Sequence, residues 1–200
     1  MTYDEAHDHI DNLLDKAGTA YFTDGEKNQF LDLAVMEYTK GLVNSLESDA
    51  QSMEKIAPLV VKSAALVQSS GVITLSDLPT TVYHVLRVYT VTNSYTVNIM
   101  SYNEYSTAKD DPFHKPDATN PVGLLRDGKI DIFGTTENIY VEYIGTPNLV
   151  DEGGATTGRV GGYDLNSSEE IVNIAVRKMM LSLEDPRYQL QVNELSAEKR

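Results

Sequence analysis

The spacing of apolar residues changes twice along this chain, and those changes limit the folds open to it. Up to residue 46, apolar side chains recur at three- and four-residue steps. Tyr3, Ala6, Ile10, Leu13, Leu14 and Ala17 make one stripe; Phe30, Leu31, Ala34, Tyr38, Leu42 and Leu46 make a second. Such spacing lines one face of an α-helix. After Pro58 the chain turns to short runs rich in Val, Ile, Tyr and Thr, which suit strands. Helical spacing returns with Ile171, Ile174, Ala175, Lys178 and Met179. Helices, then strands, then a helix predict an α+β fold. Its parts are an N-terminal antiparallel helical hairpin over 1–57 and an antiparallel β-rich middle over 58–147. A Gly-rich loop, one C-terminal helix and a flexible tail follow over 148–200, the whole forming one domain.

Local signals set the boundaries. Thr2 with Glu5, Thr23 with Glu26 and Ser167 with Glu170 have capping-box spacing, so each marks a helix start. Gly18 ends the first helix, and Phe22 is placed to staple the first turn of the second. Residues 49–57 read as a polar connection or a third short helix. Runs 59–61 and 71–75 read as short strands, and Pro79 marks a turn. Run 82–91 reads as a strand, with 95–99 as its partner across Thr92-Asn93-Ser94. Residues 101–121 carry Pro112, Pro116 and Pro121 and read as a long loop, or a short helix and a loop. Asp127-Gly128 between 122–126 and 129–133 is a type I′ hairpin turn, and 139–144 adds another strand.

Composition excludes several functions. There is no cysteine, which removes disulfides, thiolate metal sites and cysteine nucleophiles and fits a reducing compartment. No run approaches the ~20 apolar residues of a membrane span. The acidic N-terminus lacks the basic and apolar regions of a signal peptide. A net charge of −14 repels phosphate and argues against broad adhesion to nucleic acid.

Each candidate for chemistry has a plainer reading. Asp4, Glu5, His7, Asp8, His9 and Asp11 look like metal ligands, but read better as a solvated acidic helix face without a zinc motif's spacing. Asp110 and Asp111 beside Pro112 and His114 read as turn formers. The run 153–159 lacks the Gly-Lys-Ser/Thr of a phosphate loop, and Arg159 does not replace that lysine. His84 sits in a strand as a packed or edge histidine. No catalytic, cofactor or metal residue is therefore expected.

Tyrosine usage points to contacts. Twelve tyrosines stand against four phenylalanines and no tryptophan. Tyrosine suits surfaces that are wet before assembly and buried after it. Tyr83, Tyr89, Tyr95, Tyr140, Tyr143 and Tyr163 are the expected partner contacts, with Tyr188, Leu190, Val192 and Leu195 of the weakly alternating tail. That tail is expected to order on a partner.

Several phrases, in this order, carry a resemblance. They are Gly18-Thr19-Ala20-Tyr21-Phe22-Thr23, Phe30-Leu31-Asp32-Leu33-Ala34, Glu37-Tyr38 and Gly71-Val72-Ile73-Thr74-Leu75-Ser76-Asp77-Leu78-Pro79. Asp111-Pro112-Phe113-His114-Lys115-Pro116, Val141-Glu142-Tyr143-Ile144-Gly145-Thr146-Pro147 and Glu169-Glu170-Ile171-Val172 follow. Over residues 15–185 the chain resembles the neck or head-to-tail connector (adaptor) ring proteins of tailed bacteriophages, and looks most like those of crAss-like podoviruses. The resemblance implies a structural virion protein, made in the host cytoplasm and without an active site. Its copies would form a homo-oligomeric ring, a dodecamer, docked on the portal protein and presenting a platform for the next neck ring or tail protein. DNA would pass through it transiently and without specificity. The alternative, from a different class, is a soluble β-rich module that binds protein or carbohydrate.

Overall fold

A computed structural model of the chain describes residues 1–17, 22–46, 48–109, 115–150 and 158–182. The fold is α+β, with helices at both ends and strands between. It divides into two compact units. Residues 1–58 and those after 146 form a helical unit, and Leu59–Thr146 forms a β-rich unit.

The helical unit contains α1 (Tyr3–Ala17), α2 (Asp24–Ser45), α3 (Ala50–Ile56) and α5 (Leu165–Ser182). Both predicted N-terminal capping boxes form. Thr2 and Glu5 exchange bonds of 2.8 and 3.3 Å, and so do Thr23 and Glu26. The Phe22 ring, one residue before the cap, meets Phe30 edge-on at 5.7 Å, along α2. The third cap differs from expectation. α5 begins at Leu165, and Asp164 accepts the Ser167 N–H at 2.8 Å. Gly18 lies outside the described residues.

α2 packs chiefly against α5, not α1. The apolar faces explain it: Leu31, Ala34, Val35, Tyr38 and Leu42 meet a chain end carrying Ile171, Val172, Ala175, Val176, Met179 and Met180, all buried. The expected N-terminal hairpin is thus one side of a multi-helix core. Tyr163 lies fully buried in that core, edge-on to Tyr38 at 5.4 Å.

The β-rich unit has two sheets. β1 (Val60–Lys62), β7 (Ile139–Gly145) and β3 (Val82–Thr90) form an antiparallel sheet in the order β1-β7-β3. β2 (Val72–Thr74), β6 (Lys129–Phe133), β5 (Val122–Arg126) and β4 (Asn98–Met100) form the other, in the order β2-β6-β5-β4. Ile73, Val88, Val97, Ile130, Ile132, Ile139, Val141 and Tyr143 pack together as the core of this unit. Asp127 (φ 47°) and Gly128 (φ 68°) both take positive φ, as a type I′ turn between β5 and β6 requires.

The wholly antiparallel expectation fails at one strand. Residues 95–97 do pair back onto β3: Thr90 N–H donates to Tyr95 O at 2.9 Å, and Val97 N–H to Val88 O at 2.8 Å. At Asn98 the chain leaves β3. Asn98 N–H donates to Pro121 O at 3.0 Å, and β4 runs parallel to β5. Gly123 permits this approach, since a Cβ there would lie 2.7 Å from Ile99 Cδ1. The 101–121 segment begins with α4 (Tyr102–Ala108), capped by Ser101 and Glu104. Tyr105 stacks on Phe133 with ring centroids 4.3 Å apart, which holds α4 against β6.

Candidate interaction surface

Register brings together a polar and aromatic group on the three-stranded sheet. Lys62 and Arg87 both stand opposite Glu142, from the strands on either side of β7. Two residues back along β7, Tyr140 stands opposite Tyr89. Strand residues two apart share a face, so these five side chains lie together. The two rings are 5.5 Å apart. The Lys62 ammonium sits 4.3 Å from the Tyr140 centroid and 5.3 Å from that of Tyr89, and the Arg87 guanidinium is 4.8 Å from the Tyr89 centroid. Tyr89 donates its hydroxyl hydrogen to Glu142 at 2.9 Å. The Tyr89 hydroxyl beside it holds the Lys62 ammonium above the ordinary lysine range. A cation over two rings, with carboxylate and guanidinium alongside, is suited to non-covalent contact and contains no nucleophile–base pair.

Next to this group an apolar groove opens between β3 and β4. Val85, Arg87, Val97, Ile99 and Leu125 are among its walls. Ile99 and Leu125 remain 43% and 49% exposed. β3 and β4 are each the edge strand of their sheet. A second, more polar cleft is lined by Thr74, Ser76, Thr80, Thr81, Asp127 and Lys129. Its Thr80 hydroxyl is within 3.0 Å of the Tyr143 hydroxyl.

The expected contact tyrosines fall into three groups. Tyr95 is exposed, while Tyr83 and Tyr140 are half-buried. Tyr89 is nearly buried yet forms part of the cation group. Tyr143 and Tyr163 are fully buried and are core residues, a correction to their expected role. Each is anchored inside by its hydroxyl, Tyr143 near Thr80 and Tyr163 at 2.7 Å from Thr39. Tyr188, Leu190, Val192 and Leu195 lie outside the described residues. Lys62, Arg87, Glu142, Ile99 and Leu125 were missed because only cross-strand register collects them.

The acidic N-terminal group also differs from expectation. His7 is largely buried, not solvated, with Nε2 2.7 Å from Asn28 Oδ1. Beside it the buried Lys27 ammonium donates to Asp11 at 2.6 Å and to Asp24 at 3.3 Å. These groups pair with one another across α1 and α2. Among the described residues no group of three or more His, Cys, Asp or Glu is placed to hold a metal, and no helix is long and apolar enough to cross a membrane. His84 is exposed on β3. Asp110, Asp111, His114 and residues 153–157 lie outside the described residues. The Tyr3 hydroxyl, with one hydrogen to donate, lies 3.0 Å from Asn148 O and 3.3 Å from Asp32 Oδ1. Burial, with the Asp32 charge, pushes its phenol well above the usual range, and burial raises the Asp32 carboxyl. Asp32 also accepts the Val150 N–H at 3.1 Å, so this group ties the N-terminus to the chain returning from the β-rich unit.

No known protein-family model matches the sequence, and no curated protein is significantly similar to it.

Proposed function

We propose that this chain is a structural subunit of a tailed-phage neck, forming a ring that joins the portal to the tail and extends the DNA channel. The observation that carries the reading is the order of its parts. Helices from both ends of the chain build one unit, a β-rich unit is inserted between them, and phrases resembling connector rings run through both in sequence. The charge of −14 supports it, because a channel that attracts phosphate would slow the passage of DNA. The subunit acts by contact and carries out no reaction. Its partners are copies of itself, the portal protein and the next neck ring or tail protein, and it resides in the virion.

Mass photometry and negative-stain imaging test this reading, on the purified protein alone and mixed with a portal ring. Cyclic particles with a central opening, dodecameric alone or on the portal, are the expected result. A strictly monomeric protein that binds no portal ring sinks it.

A second reading is favoured by the cation and tyrosine group on the three-stranded sheet: a soluble module that binds protein or carbohydrate. It predicts a monomer or dimer under every one of these conditions, and a glycan array or pull-down signal lost on Tyr140→Ala.

A further inference from the structure

Two strand edges face the same groove in the β-rich unit. β3 is the outer strand of one sheet and β4 the outer strand of the other. The residues leading into β4 pair with β3 through Thr90 N–H to Tyr95 O and Val97 N–H to Val88 O, and the chain diverges after Val97, with groove-lining residues on both sides. Parallel pairing with β5 employs alternate residues of β4, so the N–H and C=O of Ile99 point to the free edge. A free edge next to exposed apolar side chains is a template for one more strand. Ile99 and Leu125 provide those side chains.

The chain itself contains a segment with matching chemistry. Eighteen residues, 183–200, follow α5. Within them Tyr188, Leu190 and Val192 alternate with Gln189, Gln191 and Asn193. Period-two alternation gives one apolar and one polar face when such a segment is extended. The apolar face fits the groove and the polar face fits water. From Ser182, the last residue of α5, the extended chain reaches at most about 28 Å to Leu190.

We propose that residues 188–192 of one copy add as a strand along the β4 edge of a second copy, with Leu190 in the groove beside Ile99 and Leu125. Each copy then gives one strand and receives one, a head-to-tail contact that closes into a ring where the rotation allows. The inference rests on the self-assembly part of the proposed function and names the surface that would carry it.

The absence of cysteine makes the test clean. Full-length chains bearing Ile99→Cys are mixed with full-length chains bearing Leu190→Cys and oxidised mildly. Leu125→Cys serves as a second groove position, and Val67→Cys, 76% exposed, as the control. Disulfide-linked heterodimers are expected from both groove positions. Adding Leu190→Asp to a Val192→Cys donor should cut the yield about tenfold or more, as expected for losing one buried leucine. No heterodimer, or equal yield with Val67→Cys, overturns the proposal. So does an Ile99→Cys, Leu190→Cys double variant that links within one chain at high dilution, because the tail then folds onto its own groove. Cross-linked oligomers that never form rings keep this inference and remove the connector reading; rings that never cross-link do the reverse.

Discussion

The hydroxyls of Thr39 and Tyr163 lie 2.7 Å apart in the interior of the helical unit, 124 residues apart in sequence. Thr39 donates its single hydroxyl hydrogen to Val35 O at 2.7 Å, so Tyr163 is the donor in the pair. The bond joins the middle of α2 to the segment leading into α5. Gly161 makes room for it: it takes φ 61°, and a Cβ there would lie 2.8 Å from the Tyr163 ring. Tyr163→Phe should therefore destabilise the protein by about 1 kcal/mol, the net worth of one buried hydrogen bond. Tyr163→Ala should cost about 3–5 kcal/mol, because it also leaves a cavity between α2 and α5. Urea titration followed by circular dichroism separates the two. Equal losses would mean that ring packing contributes nothing.

The two lysine contacts of the helical unit should behave differently. Lys27 is 6% exposed between Asp11 and Asp24, whereas Lys55 and its partner Glu170 are 37% and 47% exposed. Burial opposes the Lys27 charge, but hydrogen bonds to Asp11 and Asp24 outweigh it and raise the pKa. A raised lysine pKa stabilises the fold fully below the unfolded value near 10.4, and this contribution is lost as pH rises through the folded value. Lys27→Ala should cost about 2 kcal/mol, with little dependence on salt. Lys55→Ala should cost less than about 1 kcal/mol, and 1 M NaCl should erase that cost. Denaturant midpoints at low and high salt check both.

Glycine substitutions should have opposite signs at two positions. Gly134 takes φ 94°, and an added Cβ would lie 2.5 Å from Asp117 O. Gly134→Ala should destabilise by about 2–4 kcal/mol, since both the dihedral and the backbone contact are unfavourable. Gly41 lies inside α2 with nothing within 4 Å of such a Cβ. Gly41→Ala should raise stability by about 1 kcal/mol through helix propensity. Thermal melts of the two variants settle the comparison.

Acid should weaken the start of α5. The hydrogen bond from the Ser167 backbone N–H holds the Asp164 carboxyl below its usual range. A depressed carboxylate pKa stabilises the fold fully above the unfolded value near 3.9, and the contribution is lost as pH falls through the lower folded value. The gap in Tm between the native protein and Asp164→Ala should be constant from pH 7 to about 5 and should shrink below about pH 4. A gap that persists unchanged at pH 2 would show that the carboxylate charge plays no part in the cap.

Much of the secondary structure was legible in the sequence because its signals act over three or four residues. The Thr23–Glu26 box and the Asp127-Gly128 turn each need only neighbours in the chain, and both formed as read. The α5 cap was misread because Asp164 and Ser167 both offer capping side chains; Ser167 is buried, and Asp164 takes the cap. Tyr143 and Tyr163 were misassigned for a related reason. Tyrosine suits a surface or a core equally, and only a partner hydroxyl 63 or 124 residues away decides which.

By itself the sequence determined the order of helices and strands, the turns and caps between them, and an acidic chain without cysteine. Tertiary structure alone decided that α2 packs mainly on α5, that β4 leaves β3 to run parallel to β5, and that Lys62, Arg87, Glu142, Tyr89 and Tyr140 meet on one sheet. The reason is physical. Hydrogen-bonded turns and caps are short-range and directional, so their residues name themselves. Apolar burial has no direction, so an amphipathic stripe states that it needs a partner and leaves to the whole chain which partner it finds.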